Sequence, residues 1–103
     1  MNKPKLHFQR TTGFIKWLKG LKDLKAKVAI INRIDRAEND GNLGDVKSVG
    51  DGVFEMRIFV GRGYRVYYTQ QNGITYLLLC GGDKSTQSAD IIKAKAIKKA
   101  LQL

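Results

Sequence analysis

The stretch "VFEMRIFVGRGYRVYYTQQNGITYLLLCGGDKSTQ", Val53 to Gln87, is the part of the chain whose reading decides the fold. From Val53 to Val60 the residues alternate. Phe54, Met56, Ile58 and Val60 take one face and Glu55, Arg57 and Phe59 the other, the two-residue period of a strand with one buried side. Gly61 and Gly63 turn the chain into "YRVYYTQ", and Asn72-Gly73, a strong hairpin signal, turns it again. "ITYLLLC", Ile74 to Cys80, is apolar on both faces and reads as a central strand. Three successive antiparallel strands are therefore expected.

Upstream, "DVKSV" (Asp45 to Val49) reads as one more strand, joined to the next by the turn Gly50 to Gly52. Before it the period changes to that of a helix. Asp23 can cap a helix with Leu24, Val28, Ile31 and Ile34 along one stripe, ending at Gly41 and Asn42. Thr11 or Thr12 can cap an earlier helix carrying Phe14, Trp17, Leu18 and Leu21. "KLHF", after Pro4, reads as a short first strand. Downstream, "SADIIKAKAIKKALQL" is a final helix with its apolar side from Ile92 through Leu101. The order β-α-α-β-β-β-β-α predicts an α+β layer in which a helical hairpin packs on one side of a mainly antiparallel sheet of four to five strands. The other side is expected to be partly open.

At 103 residues the chain is read as a single domain, residues 1–103, with 43% hydrophobic residues. One cysteine, Cys80, rules out an intrachain disulfide and fits a reducing compartment. No run approaches the roughly 18 apolar residues of a membrane span, and the start lacks the apolar core of a signal peptide. A cytoplasmic protein without a membrane partner is expected. Nineteen Lys+Arg against nine Asp+Glu give +10, a field that favours a polyanion. Part of that excess is solvated helix surface at Lys16, Lys19, Lys22, Lys25 and Lys27.

The face opposite Phe54, Met56 and Ile58 carries the candidate chemistry. Glu55 and Arg57 alternate onto it, as do Arg65, Tyr67 and Thr69 on the returning strand. Arginines bind phosphate through two parallel hydrogen bonds, and a nearby ring can stack on a base. An idle cross-strand Glu-Arg pair with an exposed tyrosine has equal weight from pattern alone. "CGGDKST" resembles the start of a phosphate loop, but Asp83 precedes Lys84 where that motif requires glycine, so the motif is rejected. Ser85 to Ser88 instead contain the cap of the last helix, with Asp90 in its first turn. His7 is the only histidine and carboxylates are scattered, so no metal site and no cofactor are expected. A nuclease on this scaffold would position phosphate with Arg and Lys and use the RNA 2′-hydroxyl as nucleophile.

"WLKGLKD", "GNLGDVKSVGDGVFEMRI", "GYRVYY" and "LLLCGGDKSTQ…DI" together resemble the RelE/ParE toxin superfamily, in its HigB-like branch of addiction-module killer proteins. The resemblance covers nearly the whole chain. It implies a RelE-like toxin partnered by a helix-turn-helix antitoxin and acting on mRNA at the ribosome as a metal-independent endoribonuclease. ParE-like members inhibit DNA gyrase instead, and a toxin reduced to antitoxin binding is a third outcome. By position, Arg65 matches the arginine that RelE-type toxins place at the scissile phosphate, and Arg57 a basic residue of the preceding strand. Lys84 is the counterpart of the basic residue after the last strand. Glu55 stands where RelE has a lysine; Ile91 and Ile92 occupy the region of its catalytic tyrosine, and the C-terminal histidine of HigB-type relatives is missing. Tyr67 and Lys84 are the remaining candidates for the acid and Glu55 for the base, while Lys47, Arg62 and Gln87 are expected to bind RNA.

Overall fold

The computed structural model describes residues 5–73 and 75–103. Pro4 and Ile74, which figure in the sequence reading, lie outside them. Strand β1 (His7–Arg10) leads into helices α1 (Thr12–Gly20) and α2 (Leu24–Asp40). Strands β2 (Val46–Gly50), β3 (Val53–Ile58), β4 (Tyr64–Asn72) and β5 (Thr75–Asp83) follow, then a 3-10 turn at Lys84–Thr86 and helix α3 (Gln87–Ala100). The sheet order is β1-β5-β4-β3-β2, antiparallel except for the parallel pair of β1 with β5. The α+β architecture with its helical hairpin and C-terminal helix is as expected.

Local chemistry sets the helix ends. The Thr11 side chain accepts from Phe14 N–H and Asp23 from Ala26 N–H, and Gly41 closes α2 in the left-handed conformation at φ 68°. Asp23 also accepts from the Tyr64 hydroxyl at 3.3 Å, tying the start of α2 to the sheet.

Two cores lie on opposite faces of the sheet. Phe14 and Leu18 of α1 and Ala26, Ile30, Ile34 and Ala37 of α2 pack on Met56, Ile58, Val66, Tyr68 and Leu78. Across the sheet, Val53, Tyr67, Leu77, Leu79 and Cys80 pack against Ala94, Ile91 and Ile97 of α3. Strand β5 feeds both cores and is buried on both sides, as its composition predicts.

Two expectations are corrected. Of the expected stripe, Ile34 is buried but Leu24, Val28 and Ile31 face outward, because α2 turns the line Ala26, Ile30, Ile34 and Ala37 toward the sheet. In α3, Ile92 is exposed, and Ala94 with the half-buried Ile91 and Ile97 faces the sheet. The far face of the sheet carries α3 and is open beyond that helix's first turn, in keeping with the partly open side expected.

Arg33 connects the layers. From α2 its guanidinium donates to the carbonyls of Leu43, Asp45 and Arg57 at 2.9–3.1 Å. A side chain at Gly44, which has φ 74°, would collide with it.

Candidate functional site

Cross-strand pairing arranges the candidate residues in rows. Lys47 of β2 stands opposite Glu55 of β3, which stands opposite Tyr67 of β4, itself opposite Cys80 of β5. The next row is Arg57, Arg65 and Gly82. Paired residues share a face, so both rows lie on the α3 side of the sheet. Helix α3 begins at Gln87, over the first row, and leaves the second beyond its N-terminal end.

The first row is therefore buried. Glu55 is 1% and Tyr67 0% exposed, which corrects their expected placement on an open face. Both the Tyr67 hydroxyl (3.0 Å) and the Gln87 amide (2.9 Å) donate to Glu55 Oε2. Burial, reinforced by the hydrogen bond to Glu55, pushes the Tyr67 phenol well above its ordinary range. Gln87 points inward to this network and is only half-buried, while Lys47 is exposed at the outer end of the row.

The second row is less deeply covered: the Arg57 side chain is 35% exposed and that of Arg65 13%. Two guanidiniums directly opposite each other repel unless a negative charge intervenes, and each arginine has one. Arg57 Nη2 donates to Asp45 Oδ1 at 2.9 Å, a contact that raises the pKa of the guanidinium. Arg65 Nε lies 3.6 Å from Glu55 Oε2, and its Nη1 donates to the Gly63 carbonyl at 2.9 Å. Gly82 supplies no side chain beside Arg65, and a Cβ there would meet Thr86 and Asp90 at the start of α3.

Arg57, Arg65, Arg62 and Lys84 line a single cleft of about 400 Å³ together with Phe59 and the Gly61–Gly63 turn. Lys84 N–H donates to the Arg62 carbonyl, so the loop after β5 closes one wall. Arg62 is exposed and lies 3.9 Å from Asp83. Phe59, 76% exposed, lies 5.9 Å under the Arg57 guanidinium. The structure thus brings together Arg57, Arg65, Lys84 and Arg62, keeps Glu55, Tyr67 and Gln87 beneath them, and leaves Lys47 to one side.

Sequence reasoning missed Asp45 and Phe59. Phe59 carried a signal, a ring alternating onto the charged face beside a glycine turn. Asp45 carried none, since its reach to Arg57 depends on the pairing of β2 with β3.

Residues 16–103 match the family described as Phage derived protein Gp49-like (DUF891). The chain belongs to this family. A protein of Haemophilus influenzae described as uncharacterized is 52% identical to this Gp49-like chain over 98 residues, covering 95% of the chain and 98% of the relative. The fold is similar to that of an E. coli toxin RelE double mutant in the free state, with TM-score 0.68 and 10% identity over 89% of this chain and 95% of that one. The Gp49-like family and the RelE fold bear out the resemblance to the RelE/ParE superfamily and support a toxin. A toxin of this family implies an antitoxin partner. Among the described residues no helix is long and apolar enough to cross a membrane.

Proposed function

We propose that the chain is a toxin domain spanning residues 1–103, of the HigB-like branch, that acts in the cytoplasm as a ribosome-dependent mRNA endoribonuclease. The observation that carries this reading is the Arg57–Arg65 pair, which lines one cleft with Lys84 and Arg62. A site built from guanidiniums with their own counter-charges suits a phosphodiester, which brings negative charge on two non-bridging oxygens.

In the proposed reaction the RNA 2′-hydroxyl oxygen bonds to the adjacent phosphorus and the bond to the 5′-oxygen breaks. The products are a 2′,3′-cyclic phosphate and a free 5′-hydroxyl. The proton of the 2′-hydroxyl passes to water, and Lys84 gives a proton to the departing 5′-oxygen. Arg65 stabilises the charge on the phosphorane, Arg57 holds the neighbouring phosphate, and Phe59 stacks on a flanking base. Glu55, Tyr67 and Gln87 act through Arg65, which they hold in place from below. RNA contact by Lys47 is confined to the margin of the site.

A second reading, a ParE-like gyrase inhibitor without catalysis, is favoured by the burial of Tyr67 and Glu55, which leaves Lys84 alone as an acid in the cleft. Mapping mRNA ends by primer extension after induction separates the two. Discrete cuts within translated codons, absent in Arg65→Ala, support the nuclease. Intact mRNA with DNA damage supports gyrase inhibition. A helix-turn-helix antitoxin is the proposed partner in both cases.

A further inference from the structure

A second cavity, of about 580 Å³, adjoins the arginine cleft and shares Arg62 and Tyr64 with it. It exists because β1 is short. Strand β1 accompanies β5 only as far as Leu78, and the Thr11 hydroxyl closes on the Leu79 carbonyl. From Cys80 to Asp83, no strand among the described residues runs beside the edge of β5 that faces away from β4. Alternate peptide groups of an antiparallel strand point away from its partner, so this edge presents backbone donors and acceptors to the cavity.

Two glycines make the floor. The half-buried Trp17 ring of α1 lies on Gly81, and the Asp90 carboxylate of α3 lies on Gly82. Between indole and carboxylate the surface is bare backbone. Around it three acids, Asp23, Asp83 and Asp90, meet three basic groups, Lys22, Arg62 and Lys93.

That balance selects the ligand. A bare phosphate would meet three carboxylates and a small cation three basic groups. Among the described residues, no three acidic side chains converge as metal ligands. A neutral, flat molecule with both donors and acceptors suits an indole wall over a backbone floor, and a nucleobase is such a molecule.

The carboxylate oxygens choose among the bases. Asp23 is occupied, Oδ1 by Ala26 N–H and Oδ2 by the Tyr64 hydroxyl. Asp83 Oδ1 accepts from Ser85, while its Oδ2 has only Arg62 at 3.9 Å. Asp90 Oδ2 accepts from the Thr86 hydroxyl, and its Oδ1 has no donor among the described residues. One oxygen on each of two carboxylates is thus left for a ligand. Guanine is the base with two donor nitrogens on its Watson–Crick edge, N1 and N2. Adenine, cytosine and uracil have one each.

We propose that this cavity holds a guanine base of the RNA strand whose phosphates lie along Arg57 and Arg65. Trp17 stacks on the ring, Asp83 and Asp90 accept from N1 and N2, and the basic groups meet O6 and N7. The inference rests on the nuclease reading above. The sheet order sets Phe59, after β3, and Trp17, beside β5, on opposite sides of β4. The bases on the two sides of the cleft are therefore gripped by different rings, and only one of them is read by carboxylates.

Trp17 is the only tryptophan, so its emission reports on the cavity directly. Titration of the full chain with GMP is expected to quench it, with an affinity at least about tenfold above those for AMP, CMP and UMP. IMP, which lacks the N2 amino group, is expected to bind about tenfold more weakly than GMP, the usual effect of one lost hydrogen bond to a charged group. Asp90→Ala is expected to lower GMP affinity about tenfold and AMP affinity by less than about twofold, and to remove guanine enrichment beside the cuts seen in mRNA end mapping. Absent quenching, or equal quenching by all four nucleotides, overturns the inference. Cuts with no guanine beside them overturn the placement of the strand and leave the cavity to a free guanine nucleotide. Should Asp90→Ala lose its helical circular dichroism, the comparison of GMP with IMP on the wild type decides. GMP-selective quenching by a chain that leaves mRNA intact sinks the nuclease reading while the guanine site stands.

Discussion

Arg65 is held by the Gly63 carbonyl and by Glu55, and Glu55 is held by Tyr67 and Gln87. Arg65→Ala is expected to lower cleavage by about 10²–10³-fold, the usual loss for one charge-stabilising donor, measured by mRNA end mapping after induction, and to lower the melting temperature as well, because it leaves the buried Glu55 carboxylate without its counter-charge. Glu55→Ala strands two buried donors and an arginine, and is expected to cost about 2–4 kcal/mol of stability in urea unfolding. Cys80 gives a pH test. Burial pushes its thiol up to about 11 and the Tyr68 phenol up to about 12. Both groups are neutral in the folded state and ionise more readily once unfolded. Their contribution is therefore complete below the ordinary thiol value near 9 and is lost as pH rises through 11 to 12. Thermal melts should be flat from pH 7 to 8.5 and then fall, and iodoacetamide should label Cys80 only after unfolding. The arginines were legible from alternation alone. The burial of Tyr67 and Glu55 was not, because alternation assigns a face and does not say what covers it.

At the scale of elements, the paired glycines at the end of β5 set where two helices sit. A side chain at Gly81 would run into the Trp17 ring of α1, and one at Gly82 into Thr86 and Asp90 at the start of α3. The glycines that resemble a phosphate loop in the sequence are contact points for helices on opposite faces. Gly81→Ala is expected to cost about 1–3 kcal/mol and to displace Trp17, the only tryptophan, seen as a red shift of its emission. The helix boundaries were readable because Thr11, Asp23 and Gly41 act within a few residues. The reading of the buried side of α2 was right at Ile34 but missed Ala26 and Ala37, because hydrophobicity ranks leucine and valine above alanine. Close approach to a sheet selects the smaller side chain, and Ala26 and Ala37 meet that need.

Over the whole molecule, the basic residues that make up the charge of +10 fall on the helical hairpin, on α3 with Lys93, Lys95, Lys98 and Lys99, and in the arginine-rich cleft beyond the start of α3. If Arg57, Arg62, Arg65 and Lys84 each engage one phosphate, log affinity for a single-stranded RNA should fall with log salt at a slope near −3, about −0.7 per contact. Arg57→Ala should make the slope shallower by about 0.7, as read by fluorescence anisotropy across a salt series. The layer order was legible because each strand carries its own period. The parallel pairing of β1 with β5 was not, because no local signal links residues so far apart in the chain. That pairing joins His7 to Thr75 and governs how the protein assembles in time. The β2–β3–β4 meander needs only short loops to close and is expected to form early in refolding. Strand β1 must wait for β5, and Gln87 reaches Glu55 only when α3 docks on the finished sheet. Arg57 and Arg65 are thus expected to become neighbours when β3 pairs with β4, before α3 brings Gln87 to the Glu55 that faces Arg65. A newly made chain should accordingly gain structure before it gains potency.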